Sequence, residues 1–336
     1  MKLPTNVAAA DPKKVKVVKE FVHDSPLIAC RFDPTGQYVV ATSQDNKVLR
    51  WDLESGEKVE YISHDSWVRG IEFSADGKWL ITGGFDGQLA WWDLSSTSTE
   101  PARKLDAHEG WIRSCHSSPN GQLLVTGGND NLAKIWNLGS GELLHTLSGH
   151  EKNVYSVAFH PTLNCVLTGD LAGVVNEWDW PNHQVTRSFD AKALHTYNGG
   201  QRVDFGGVRS LAISNDQKQL ACGGLHNASN PLGSVHDPLI VLFDWESQEV
   251  TKSLIAPGLK GGIWRCLYHT AGFLFAASGG SSGGYLLFWD MESEKDIHRL
   301  KLPHLARDMD LHLDGLRIAT SHYDKKLRIC SLAPQD

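Results

Sequence analysis

His64-Asp65-Ser66-Trp67-Val68-Arg69-Gly70-Ile71-Glu72-Phe73-Ser74-Ala75-Asp76-Gly77-Lys78-Trp79-Leu80-Ile81-Thr82-Gly83-Gly84-Phe85-Asp86-Gly87-Gln88-Leu89-Ala90-Trp91-Trp92-Asp93 is the stretch on which the fold turns. Residues 67–73 and 79–82 are rich in the Trp, Val, Ile and Phe that strands favour and flank a turn at 74–78, and Phe85-Asp86-Gly87 reverses the chain into a third run at 88–92. A fourth run passes through residues 103–105. Such runs broken by Asp-Gly turns predict antiparallel hairpins, because Gly accepts the positive φ of a tight turn.

The block repeats. Trp51, Trp92, Trp136, Trp178, Phe243, Trp289 and Cys330 close successive blocks at steps of 41, 44, 42, 65, 46 and 41 residues. Asp follows directly at Trp51, Trp92, Trp178, Phe243 and Trp289, Asn follows Trp136, and Ser follows Cys330. Spacing and signature together resemble the WD40 (G-beta-like) repeat family over residues 15–331. The resemblance implies an all-β, seven-bladed β-propeller of four-stranded antiparallel blades. Block seven ends at Asp336 without a fourth strand, while residues 15–21 have no first three strands of their own, so the N-terminal segment is expected to complete the last blade and leave no open edge. Residues 1–14 are then a tail and 15–336 a single domain, against the two domains that 336 residues alone would suggest.

Matched to the tetrad that WD40 blades typically bury, His64, Thr82, Asp86 and Trp92 form one hydrogen-bonded chain in block two, and His108, Thr126, Asp130 and Trp136 form its counterpart in block three. Polar groups withdrawn from water must satisfy one another, so these residues are structural and not catalytic. Block one offers His23, Asp45 and Trp51 but Ala41 at the hydroxyl position. Block four has His150, Thr168 and Trp178 with Ala172 for the Asp, and block seven has His304, Thr320 and Asp324 with Cys330 for the Trp.

One column departs from simple repetition. The residue after the first-strand Val or Ile is Arg69, Arg113, Tyr155, Arg209, Trp264 and Arg307, with Ile28 in block one. Trp67 and Trp111 precede it, and Phe85, Asn129, His236 and Tyr323 lie by the tight turns. These twelve residues, Ile28 apart, are expected around the mouth of the central channel as a partner-binding ring for an acidic or phosphorylated peptide, since Arg pairs carboxylate or phosphate in bidentate fashion and aromatics anchor interfaces. The alternative is that the Arg stems pack between blades.

Block five carries two insertions, residues 190–207 and 225–236, expected side by side on the same face, where loops on a rigid scaffold carry specificity. His195, His226 and His236 with Asp204 form the only set that could be weighed as a metal site, and no ligand spacing supports it. No metal and no cofactor is expected. Gly279-Gly280-Ser281-Ser282-Gly283 fits a hydrolase nucleophile elbow literally, but that elbow needs a strand running into a helix, whereas strand residues 285–289 follow here.

A non-enzymatic scaffold that binds other proteins or peptides is the leading reading, as a monomer or as a subunit of a larger complex. A propeller enzyme or small-ligand binder using the channel mouth is the second. A ubiquitin-ligase adaptor is the third, and it loses ground because none of the intact Trp-Asp pairs has Arg two places on. A net charge of -7 argues against nucleic acid and anionic membrane as partners. The N-terminus has no apolar run of signal-peptide length, no stretch reaches a membrane span, and Cys30, Cys115 and Cys266 sit at core first-strand positions, so the expected location is cytoplasmic.

Overall fold

The computed structural model describes residues 10–230 and 235–333. The first nine residues of the expected tail, the middle of the second block-five insertion and the last three residues lie outside the described residues. Seven four-stranded antiparallel sheets and one two-stranded sheet account for the strands. Six blades run in chain order from the innermost strand outward. Blade one, for instance, is Leu27–Phe32, Tyr38–Ser43, Lys47–Asp52 and Lys58–Ile62.

The seventh blade is made from both ends of the chain. Ala306–Leu311, Arg317–His322 and Lys326–Ser331 supply three strands, and Lys16–Val22 supplies the fourth, paired from Lys16 opposite Ser331 to Val22 opposite Lys326 with one register shift between Val17 and Lys19. Arg328, 1% exposed, holds this seam: it donates to Glu20 Oε1 at 2.7 Å and to Asp324 at 2.9 and 2.5 Å, while Lys326 donates to Glu20 Oε2 at 2.6 Å. Residues 10–14 are more tied down than a tail implies. Asp11 caps the short helix Pro12–Lys14 and its N–H donates to Leu332 O at 3.0 Å.

Apolar burial lies between blades, because each sheet turns alternate residues to its two neighbours. Val39 and Leu49 of blade one pack with Leu327 and Ile329 of blade seven, whereas Val40 and Val48, one residue along, pack with Leu80 and Trp92 of blade two. Around the channel a belt of side chain to main chain bonds joins every blade to the next. Thr42 Oγ1 donates to Val68 O, Ser117 N to Glu72 Oε2, Phe159 N to His116 Nδ1, Ser156 Oγ to Val208 O, Cys266 N to Ser210 Oγ, His269 Nε2 to Gly315 O and Phe32 N to Asp310 Oδ2, all at 2.7–3.2 Å.

In blades two and three the tetrad is a continuous chain. His64 Nδ1 meets Asp86 at 3.0 Å and its Nε2 meets Thr82 Oγ1 at 2.9 Å, which also accepts from Trp92 Nε1 at 2.9 Å. His108, Asp130, Thr126 and Trp136 repeat the pattern at 2.8, 2.7 and 3.0 Å.

Three blades differ from the expected assignments, for one reason. Blade four is not short of an acid: Asp170, not Ala172, meets His150 Nδ1 at 2.9 Å. Asp170 lies two residues beyond Thr168, hence on the same strand face. In blades two and three that position is Gly84 and Gly128, where a Cβ would come within 2.3 Å of Asp86 and 2.4 Å of His108. Blade seven uses the same position again. His322, not His304, meets Thr320 Oγ1 at 2.8 Å, and its Nδ1 bonds His304 O at 3.0 Å, while Asp324 turns to Arg328. In blade one Ser43 at this position donates to Asp45, which His23 contacts at 3.1 Å, so the hydroxyl missing at Ala41 is supplied two residues on.

Two outcomes follow from these contacts. Lys326 and Arg328 hold the Glu20 carboxyl below its usual value against the opposing effect of burial, so its contribution is complete above about pH 4.3 and is lost as pH falls below that. Deleting residues 1–22 should abolish the cooperative melt, and Glu20→Gln should lower the melting temperature at pH 7 more than at pH 3. A monomeric truncation with an unchanged melt would contradict the closure. Asp170→Ala should cost about 1–3 kcal/mol in denaturant unfolding by stranding His150, with Ala172→Gly producing no comparable loss from the tetrad.

Candidate functional site

Six of the seven first strands carry a β-bulge at the same offset. Register shifts fall between Leu27 and Ala29, Val68 and Gly70, Ile112 and Ser114, Val154 and Ser156, Ile263 and Arg265, and Ala306 and Asp308. The residue skipped is Ile28, Arg69, Arg113, Tyr155, Trp264 or Arg307, and Arg209 stands at the head of the remaining first strand, Ser210–Ile213. A bulge leaves one residue out of the ladder and re-aims its side chain. Repeated in six blades, it re-aims one side chain in each, and Arg209 takes the matching place in blade five.

Most of the column meets at the mouth of the channel. Trp264 has Arg69 at 5.4 Å and Arg209 at 4.7 Å from its ring centre, and Tyr155 has Arg209 at 5.7 Å and Arg113 at 4.5 Å. Arg113 continues onto Trp111 at 4.6 Å and Phe85 at 5.3 Å, and its Nε donates to Asn129 Oδ1 at 2.8 Å. Phe85 and Trp111 stack 4.3 Å apart at 2°, with Trp67 tilted beside Phe85 at 6.3 Å. Arg307 lies over Tyr323 at 5.4 Å, and Tyr323 stacks on His304. His236 is close enough to Arg209 for that charge, after burial, to help push its imidazole down to about 4.

Below the mouth lies a second tier that the Arg column alone did not reveal. Arg31 donates to Asp308 Oδ2 at 2.9 Å and Arg265 approaches Asp310 at 3.6 Å. Arg31, Arg265, Asp308, Glu72 and His116 share with the mouth arginines Arg69, Arg113 and Arg209 the lining of a cavity of about 120 Å³. The lower-tier residues sit one and three places beyond the bulge in their strands, an alignment that would have found them. Burial raises Asp310 to about 6 even with Arg31 opposing it.

The two tiers differ in charge balance. Among the described residues no carboxylate lies within 4 Å of the guanidinium of Arg69, Arg113, Arg209 or Arg307. Arg209 Nε is buried without a hydrogen-bond partner, and burial, reinforced by Arg69 and Arg113, pushes Arg209 down to about 10. Arg69 and Arg209, on one ring, are no more than about 10 Å apart, a repulsion of at least roughly 1.7 kcal/mol at an effective dielectric of about 20. A cation–π contact returns about 0.5–1 kcal/mol when exposed and about 2 kcal/mol when desolvated. The ring faces can therefore offset the mutual repulsion, but they supply neither a counter-charge nor an acceptor for Arg209 Nε; an anion at the mouth would supply both.

The block-five insertions are strands. His195–Asn198 pairs with Val203–Gly206, and the second hairpin of blade five lengthens into Gln219–Asn230 and Val235–Asp244. They touch through Ala228 N and Thr196 Oγ1 at 3.4 Å. The three histidines do not gather on one point: His195 bonds Asp204 at 2.9 Å, where Lys152 also donates, while His226 and His236 flank Asp237. The Gly279–Gly283 run is a hairpin turn, with Gly280 opposite Gly283 and strand on either side.

The family model described as WD domain, G-beta repeat matches residues 15–52, 57–93, 99–137 and 141–179. The chain is a seven-bladed β-propeller with four WD40 repeats over residues 15–179. Each match begins with the outer strand of one blade and ends at the third-strand anchor of the next, so the repeat straddles two blades, as the closure by Lys16–Val22 requires. The inserted blade five and blades six and seven, with Phe243 and Cys330 as anchors, complete the ring beyond the matched residues. A search of curated proteins found no match. No helix among the described residues is long and apolar enough to cross a membrane.

If the mouth holds uncompensated charge, Arg209→Met should leave the melting temperature unchanged or raise it by a few degrees. Inorganic phosphate at constant ionic strength should stabilise the native protein and stabilise Arg209→Met less. A strongly destabilised Arg209→Met together with no phosphate effect on the native protein would count against the anion site.

Proposed function

We propose that this WD40 propeller is a non-enzymatic interaction platform that takes an acidic or phosphorylated segment of a partner protein at the channel mouth. WD40 propellers commonly mediate protein–protein interaction. The observation that carries the specific reading is the charge imbalance: four mouth arginines without a carboxylate, directly above a tier whose arginines are ion-paired. A carboxylate or phosphate entering from a partner supplies the missing counter-charge with two donors per guanidinium.

The size of the channel favours the tip of a peptide over a buried organic substrate. About 120 Å³ is well below the roughly 300–1,000 Å³ of small-molecule sites. Residues 15–336 act in this reading as one domain, with the blade-five hairpins forming one wall of the rim. All six cysteines are unpaired and buried, which supports a reducing, cytoplasmic setting.

Fluorescence anisotropy with matched peptides, phosphoserine or glutamate against serine or glutamine, tests the proposal. Acidic members should bind, weaken at least about tenfold between roughly 50 and 500 mM salt, and lose binding to the Arg113→Gln/Arg209→Gln double variant. Neutral peptides binding equally well, or a double variant that retains full affinity with an unchanged melt, would dismiss the arginine ring.

A further inference from the structure

Trp67 and Trp111 are 38% and 43% exposed, unusual for the largest apolar side chain, and Phe85 lies between them. Their neighbours in the fold are modest. The backbone position whose carbonyl receives the first N–H after the second strand is Trp67 and Trp111 in blades two and three, but Pro26, Asn153 and Leu305 in blades one, four and seven. The aromatic shelf is thus confined to one sector of the face. Its ring planes are set by packing: Phe85 stacks on Trp111 and its N–H donates to Trp67 O at 2.7 Å, so the shelf is preorganised. Nothing in blade two or three requires tryptophan there for the core, since both rings sit outside the buried clusters that hold those blades together.

Shelf and mouth are continuous through one residue. Arg113 lies 4.6 Å from the Trp111 ring centre on one side and 4.5 Å from Tyr155 on the other. An occupant spanning both must therefore be apolar at one point and acidic a short step away. Extended backbone carries side chains on one face every second residue, about 6.6–7 Å apart, which matches a step from an aromatic face across a guanidinium. Cationic anchors are disfavoured although aromatic faces attract them, because the Arg113 charge lies 4.6 Å from the Trp111 ring centre and three more arginines line the mouth.

We propose that the Trp67–Phe85–Trp111 shelf is a second subsite of the same groove, which receives a proline, leucine or phenylalanine side chain of an extended partner segment placed two residues from the carboxylate or phosphate bound at the mouth. This rests on the acidic-segment reading and adds direction and register to it: the arginines fix where the charge goes, and the shelf fixes which way the segment runs, toward blades two and three.

The probe is a set of fluorescein-labelled hexapeptides of extended, glycine- and serine-rich sequence with proline, leucine, phenylalanine, serine or lysine at the anchor and glutamate or glutamine two residues on. Among glutamate peptides the three apolar anchors should bind about tenfold tighter than serine or lysine. That preference should shrink to about threefold or less in Trp111→Ala and in Trp67→Ala, each checked for an unchanged melt. Equal binding by all five anchors, or a preference that survives in both alanine variants, overturns the shelf while leaving the mouth intact. Glutamine peptides binding as tightly as glutamate ones overturn the mouth reading, and this inference with it, whatever the anchor series shows.

Discussion

Every feature of this molecule depends on the ring being shut, and the only place where it is shut without chain continuity is inside blade seven. Bringing Lys16–Val22 beside Lys326–Ser331 closes a loop of almost the whole chain, and loop entropy opposes that step. The ladder of backbone bonds answers part of it. Arg328 answers more, because a guanidinium that is 1% exposed and shared between Glu20 and Asp324 is costly to bury unless both carboxylates are present. Glu20 belongs to the N-terminal strand and Asp324 to the turn before the last one, so the ion cluster recognises the correct register of the seam as well as adding to its strength.

How far the sequence reports this fold depends on how many sequence solutions one geometry admits. The blade count and the closing strand were legible because Trp spacing and turn residues recur with the blade itself. The tetrads were legible only where they used the commonest offsets. Blade four moves its acid from four residues past the threonine to two, to Asp170, and blade seven moves its histidine to the equivalent His322. Both positions lie on the same strand face as the threonine, and in blades two and three glycine keeps that space free for the usual partners. A fixed-offset reading sees a deletion where the structure has a substitution from the other side of the same cavity.

The candidate site was legible as a column and illegible as a charge balance. One residue per blade at a common offset announces a shared environment, and the repeated bulge explains why side chains as unlike as Ile28, Tyr155 and Arg113 occupy it. Whether an arginine in that column has a carboxylate depends on residues one and three places further along a neighbouring strand, which no single block contains. Asp308 pairs with Arg31 across the junction of blades seven and one, and Arg265 approaches Asp310 across the junction of six and seven. Chain distance hides both.

The two tiers divide the labour of the channel. The lower tier spends its charges inward: Asp308 and Asp310 accept from Cys30 N and Phe32 N as well as facing arginines, so both carboxylates are committed to blade-to-blade contact. The upper tier has no such duty. Its guanidiniums rest on ring faces, which hold them in place without a carboxylate beside them. A belt that fixes the spacing of the blades is the condition for that arrangement, since four like charges brought together on a pliable ring would spread it apart. The rigidity of the closed disc is therefore what allows the mouth to remain electrostatically incomplete, and an incomplete mouth is one whose counter-charge can come from another molecule.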